Sequence, residues 1–198
     1  WEKVRGNKAG RLSLADRINY RRDLTRQNLD APCTVLYPNL QRVACAAMIN
    51  IEEVMATIEH STGITPTGFI ADTALYHYRS FDPAEGNYLA AFLNAPIIDE
   101  LLQPLRNRRQ RNQPNVHKRI FDVAPIPHYD PAVAEHTKMS SMGASCKASV
   151  DIWLRQNQDA RTLPLAQCRN EVRKHLKDEF KAIDRLARRI LNTGYVTI

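Results

Sequence analysis

Apolar residues follow two different periods along this chain, and the change of period divides it. From about residue 31 to 128, short apolar runs alternate with turn-forming clusters. From about 130 to 193, apolar residues recur every three or four positions, as on amphipathic helices. Thr34–Tyr37 and Arg42–Ile49 read as strands joined by a Pro38-Asn39 turn. Asn50 followed by Glu53 predicts a helix cap with its reciprocal partner and a short helix to about His60. Phe69–Arg79 is apolar at odd and even positions alike, which predicts a strand covered on both faces, with Asp72 as a buried carboxylate. Asp82-Pro83 starts a helix whose buried stripe includes Tyr88, Leu89, Phe92 and Leu93. Asn94-Ala95-Pro96 breaks and restarts it, and Ile97, Ile98, Leu101, Leu102 and Leu105 continue the apolar face. Ile120–Ile126 reads as a short strand closed by prolines.

In the last third, Asp130-Pro131 signals another helix start. Met139, Met142, Cys146, Val150 and Trp153 form its stripe, and Gly143, Ala144 and Ala148 allow close approach of a neighbour. Thr162–Pro164 opens a final helix with a stripe from Val172 to Ile190, predicted to run unbroken for roughly 40 Å. Before all this, residues 1–30 are polar and basic, and Leu14, Ile18 and Leu24 suggest a short amphipathic helix ended by Asp30-Ala31-Pro32. The expected fold class is α+β. A basic segment (1–30) precedes a small mixed sheet with packed helices (31–128), and a long helical hairpin follows (129–198).

Composition adds a partner class. The 198 residues are 43% hydrophobic, enough for a core, and carry a formal net charge of +7 with a pI near 9.4. That balance favours an acidic partner. The chain opens on Trp1 and its first methionine is Met48, which suggests a piece of a longer protein. No secretory leader opens it, and no apolar run reaches membrane-spanning length. Cys33, Cys45, Cys146 and Cys168 show no metal-ligand spacing. Cys45 and Cys146, among small apolar neighbours, read as buried free thiols, which fits a reducing, cytoplasmic setting.

The charge is most concentrated at residues 106–119, RNRRQRNQPNVHKR, with five arginines, one lysine and no acid anywhere between Glu100 and Asp122. Guanidinium forks match phosphate oxygens two at a time, and side-chain amides can read base edges. Arg106, Arg108, Arg109, Arg111, Lys118 and Arg119 are therefore the candidate phosphate contacts, and Asn115 and His117 the candidate base contacts. A second basic set, from Arg173 to Arg189, is interspersed with Asp178, Glu179 and Asp184, and reads as a solvated helix laced with ion pairs. The remaining histidines have no metal-ligand spacing, and no phosphate-binding or nucleophile motif is present. No metal site and no catalytic residue is assigned.

Three strings in a fixed order carry a resemblance: FIADTALYHY, NYLAAFLNAPIIDELLQPL and NVHKRIFDVAPIPHYDP. Together they are similar to the C-terminal region of N6-adenine DNA methyltransferases of restriction–modification and phage-defence systems. The matching elements are Asp72–Tyr76, Leu93–Pro96, Asn115–Arg119 and Pro125–Pro127. The resemblance implies a target-recognition domain that binds double-stranded DNA, downstream of a methyltransferase domain in the same chain. It implies S-adenosylmethionine for the parent chain and no cofactor in this fragment. The family's catalytic tetrapeptide is missing; the nearest string, Asn94-Ala95-Pro96-Ile97, does not match it. Two other classes stand beside this reading. One is a helical protein-interaction or dimerisation module, through the stripes at Met139–Trp153 and Val172–Ile190. The other is a nuclease holding magnesium with Asp72 and Glu85 or Asp122.

Overall fold

The structure, a computed structural model, describes residues 16, 19, 24–38, 45–72, 75–105 and 120–193. It is α+β. Strands β1 (Cys33–Pro38), β2 (Ala47–Asn50) and β3 (Leu75–Ser80) form a three-stranded sheet in the order β2-β1-β3. Both pairings are antiparallel, so among the described residues the sheet is purely antiparallel and not mixed. Helix α1 (Ile51–Thr62) follows β2 directly, with Asn50 capping it through the Glu53 amide at 3.2 Å. Glu53 does not reciprocate, because its carboxylate pairs with Lys147 at 3.3 Å.

Helix α2 (Pro83–Asn94) is the centre of the molecule. Asp82 caps it at Ala84, and Pro83 occupies the first turn, where no amide hydrogen is missed. Every residue from Tyr88 to Leu93 is buried. A helix apolar all round is one enclosed on all sides. The sheet packs on one side of α2. On the other lie α5 (Ala134–Gln156) and α8 (Lys177–Leu191). Between them in sequence come α3 (Pro96–Leu102), a 3₁₀ turn at Gln103–Leu105, and the single-turn helix α4 (Ile120–Val123). Short α6 (Gln158–Thr162) and α7 (Leu165–His175) connect α5 to α8. One core runs from Val35 on the sheet through Tyr88 and Phe92 to Ile183 and Ile190 on α8.

Gly143 shows why α5 can lie so close to α2. A Cβ built there would sit 2.3 Å from the Asn87 carbonyl oxygen, so only glycine permits this crossing. Ala144 and Ala148 are exposed and do not share that role.

Several expected elements differ, each for an identifiable reason. Among the described residues, the strand predicted over Phe69–Arg79 pairs from Leu75 to Ser80. At Ala71, the Gln27 side chain takes the place of a neighbouring strand: it donates to the Ala71 carbonyl at 2.7 Å and accepts from its amide at 2.8 Å. Full coverage on both faces belongs to β1, where Cys33, Thr34 and Val35 are 1% exposed or less; β3 is mostly half-buried. Asp72 is exposed. Ile120–Ile126 is a helical turn and a bend, since Pro125 and Pro127 have no amide hydrogen for a ladder. The helix after Asp130-Pro131 begins only at Ala134, because the Asp130 carboxylate first closes a turn at Ala132 (2.8 Å).

The final helix is broken at Leu176 into two pieces of 11 and 15 residues, about 16 and 22 Å long. Leu176 turns into the core at 3% exposure. Its neighbour His175 stacks on Trp153 of α5, with ring centroids 5.6 Å apart, and shares a 2.9 Å hydrogen bond with Ser149. All four cysteines are free thiols. Cys33 is the buried one, while Cys45 and Cys146 are half-buried. The proposed N-terminal amphipathic helix, with Leu14 and Ile18, falls mainly outside the described residues. No helix among the described residues is long and apolar enough to cross a membrane.

Candidate nucleic-acid interface

Arg106, Arg108, Arg109, Arg111, Asn115, His117, Lys118 and Arg119 all lie outside the described residues. The structure does show what holds the two ends of their segment. On the entering side, Leu102 is 2% exposed at the end of α3. On the leaving side, Ile120 is 1% exposed, and Ala124 and Ile126 are buried behind it. Helices α3 and α4 pack against each other, so the segment starts and finishes on neighbouring parts of one scaffold.

Both ends are locked by specific contacts. Pro96 opens α3, and the Ile97 amide next to it donates to the Asp184 carboxylate of α8 at 2.7 Å. Asp184 also accepts from Arg188 Nε at 2.8 Å, and Arg188 reaches Glu100 on α3. These contacts tie α3 to α8. On the other side, the Tyr88 hydroxyl donates to the Pro127 carbonyl at 3.0 Å, fixing the Pro-Ile-Pro run against α2. The Asp130 amide donates to His136 Nδ1 at 3.1 Å. That bond requires an unprotonated Nδ1, and burial lowers the His136 pKa, partly opposed by Asp130 and Glu135.

The same anchors adjoin the Pro38 end of the sheet, where Pro38 of β1 faces Leu75 of β3. There Tyr37 packs on Tyr76 at 5.2 Å and edge-on to Phe121 at 6.5 Å. Burial, with Tyr76 beside it, pushes the Tyr37 hydroxyl up to about 12.

Five members of the second basic set are engaged by acids. Lys174 pairs with Glu171 (2.7 Å), Lys181 with Asp178 (2.8 Å) and Arg189 with Glu135 (3.6 Å). Arg188 pairs with Asp184 and Glu100, and Arg173 lies 4.0 Å from Asp99 and over the Phe180 ring. The ion pairs expected from sequence are therefore present, divided between α7 and α8.

Of the carboxylates named for a nuclease, Asp72 and Glu85 do not converge. Asp72 precedes β3 and Glu85 follows it, so a strand of six residues, about 20 Å long, separates them. Glu85 is held by the Tyr78 and Ser80 hydroxyls. No cluster of three or more metal-binding side chains occurs among the described residues.

Sequence reasoning missed the side-chain amides that stand in for backbone. Asn94, in the Leu-Asn-Ala-Pro run, donates to the Ala46 carbonyl at 2.7 Å and to the Ala90 carbonyl at 2.8 Å, and accepts from the Ala46 amide at 3.2 Å. It thus welds the end of α2 to the start of β2. The only signal for it in the sequence was an amide residue at a helix break. No protein-family model, curated protein or solved structure matches this chain.

Proposed function

We propose that the chain is the DNA-binding target-recognition module of a larger N6-adenine DNA methyltransferase of restriction–modification type. It acts in the cytoplasm and catalyses no reaction itself. Arg106, Arg108, Arg109, Arg111, Lys118 and Arg119 neutralise phosphates of double-stranded DNA, and Asn115 and His117 contact base edges. S-adenosylmethionine belongs to the methyltransferase domain of the parent chain, and the C-terminal helices offer a surface for a homodimer.

The observation that supports this reading is the anchoring of the segment. The seventeen residues between Leu102 and Ile120, two residues buried in one core, carry six permanent positive charges and no acid. Recognition loops work when a rigid scaffold positions them. Replacing Arg108, Arg109 and Arg111 together by alanine tests it, with binding to a mixed-sequence duplex read by fluorescence anisotropy. A loss of about a hundredfold or more at low salt is expected, with unchanged thermal stability. Unchanged DNA affinity would refute it.

A further inference from the structure

Strand β2 is an outer strand of the sheet. In an antiparallel pair, each residue directs its N–H and C=O to the same side, and the side alternates along the strand. Two observations fix the phase on β2. The Ile51 amide donates to the Pro32 carbonyl at 2.9 Å, so position 51 points toward β1, as do 49 and 47. At the other end, both backbone groups of Ala46 are taken by Asn94 instead of β1. Ala46, Met48 and Asn50 therefore point outward. Asn94 occupies the place of a fourth strand at Ala46. Two residues on, neither backbone group of Met48 has a hydrogen-bond partner among the described residues.

Met48 lines a groove of about 780 Å³ between β2 and helices α5 and α7, floored by α2. The floor beside the strand is made of small residues of α2, Ala90 and Ala91, which leave room for incoming side chains. Arg169 of α7 lines the same groove and, unlike Arg173, has no carboxylate partner among the described residues.

We propose that this groove binds an extended polypeptide segment as a fourth strand. The segment exchanges two backbone hydrogen bonds with Met48, lays alternate apolar side chains on the alanine floor, and places a carboxylate against Arg169. The strand edge at Met48 selects an extended backbone, and the Arg169 guanidinium, without a carboxylate partner among the described residues, selects an acidic one.

The probe is a fluorescein-labelled peptide of sequence Val-Thr-Val-Glu-Val-Thr-Val, acetylated and amidated, titrated into the full chain. Anisotropy gives affinity, and hydrogen exchange monitors the Met48 amide. Saturable binding is expected, with Met48 exchange slowed about tenfold or more. Methylating the backbone nitrogens of alternate valines removes the donor to the Met48 carbonyl and should weaken binding by up to about tenfold, the upper end of the loss expected for one hydrogen bond. Met48→Pro removes the outward amide hydrogen without touching the β1 ladder and should weaken it likewise. Arg169→Glu should reverse the preference between this peptide and its lysine counterpart. The N-methyl arm needs no protein variant, so misfolding of Met48→Pro leaves the test intact. No saturable binding up to about 1 mM overturns the proposal, as does binding that is indifferent to N-methylation. Protection of Met48 that rises with protein concentration, without peptide, also overturns it, since a second copy would then be the occupant.

Discussion

Replacing Asn94 by alanine removes three hydrogen bonds at once, those to the Ala46 carbonyl, the Ala90 carbonyl and the Ala46 amide. Each such bond contributes about 0.5–1.5 kcal/mol net, and Ala46 is only partly exposed, so water can replace some of them. Alanine also favours the last turn of α2 by about half a kcal/mol. The balance is a loss of about 1–2 kcal/mol. Asn94→Asp should cost more at neutral pH, because a carboxylate would face two carbonyl oxygens while keeping only the contact to the Ala46 amide. Those oxygens disfavour the charged form and raise the introduced group's pKa above the usual value of about 3.9. Its penalty relative to alanine is therefore greatest above that raised value and shrinks as pH falls through it. Urea denaturation followed by circular dichroism gives both numbers, provided the slope with denaturant stays constant. A loss below about 0.5 kcal/mol for alanine, or equal stability of the two variants at neutral pH, would refute the weld between α2 and β2.

Gly143→Ala should destabilise the fold by about 1–2 kcal/mol, because a backbone carbonyl occupies the space of the new methyl group and outweighs alanine's helical advantage. A denaturation midpoint at or above the parent's would show that α2 and α5 can separate freely. His136 is held neutral in the fold, so its contribution to stability is full above the unfolded-state pKa of about 6.5. Below that pH the unfolded chain binds a proton that the fold resists, and stability should fall by up to about 1.4 kcal/mol per pH unit, down to the lowered folded value. His136→Asn keeps an acceptor for the Asp130 amide and should flatten this slope; an unchanged slope in pH-dependent melting would exclude His136 as its source.

The elements most legible in the sequence were those set by local chemistry. Asp82-Pro83 starts α2, Asn50 caps α1, and Asn94-Ala95-Pro96 divides α2 from α3, because caps and prolines act within one turn. The C-terminal stripes were also legible, since Met139 and Ile183 are buried as their spacing implied. What escaped was set by partners distant in sequence. Gln27 lies 44 residues from Ala71, yet replaces a strand there, and so shortened the one predicted over Phe69–Arg79. Leu176 breaks the final helix where its core contact and the His175–Trp153 stack compete with a straight axis. Apolar neighbours of Asp72 suggested burial, but the segment leaves the sheet before Leu75 and exposes it. At the candidate interface, the basic string itself was visible in the sequence. The contacts that hold its two ends, Asp184 with Ile97 and Tyr88 with Pro127, join residues 87 and 39 positions apart and carry no local pattern.

The most direct test of DNA recognition by residues 106–119 is the salt dependence of duplex binding by the intact chain. With about five phosphates neutralised, log affinity plotted against log salt should have a slope near −4 to −5. The slope should become shallower by about 2.7 when Arg108, Arg109 and Arg111 are replaced by alanine. A slope near zero, or one that the triple replacement leaves unchanged, would contradict it.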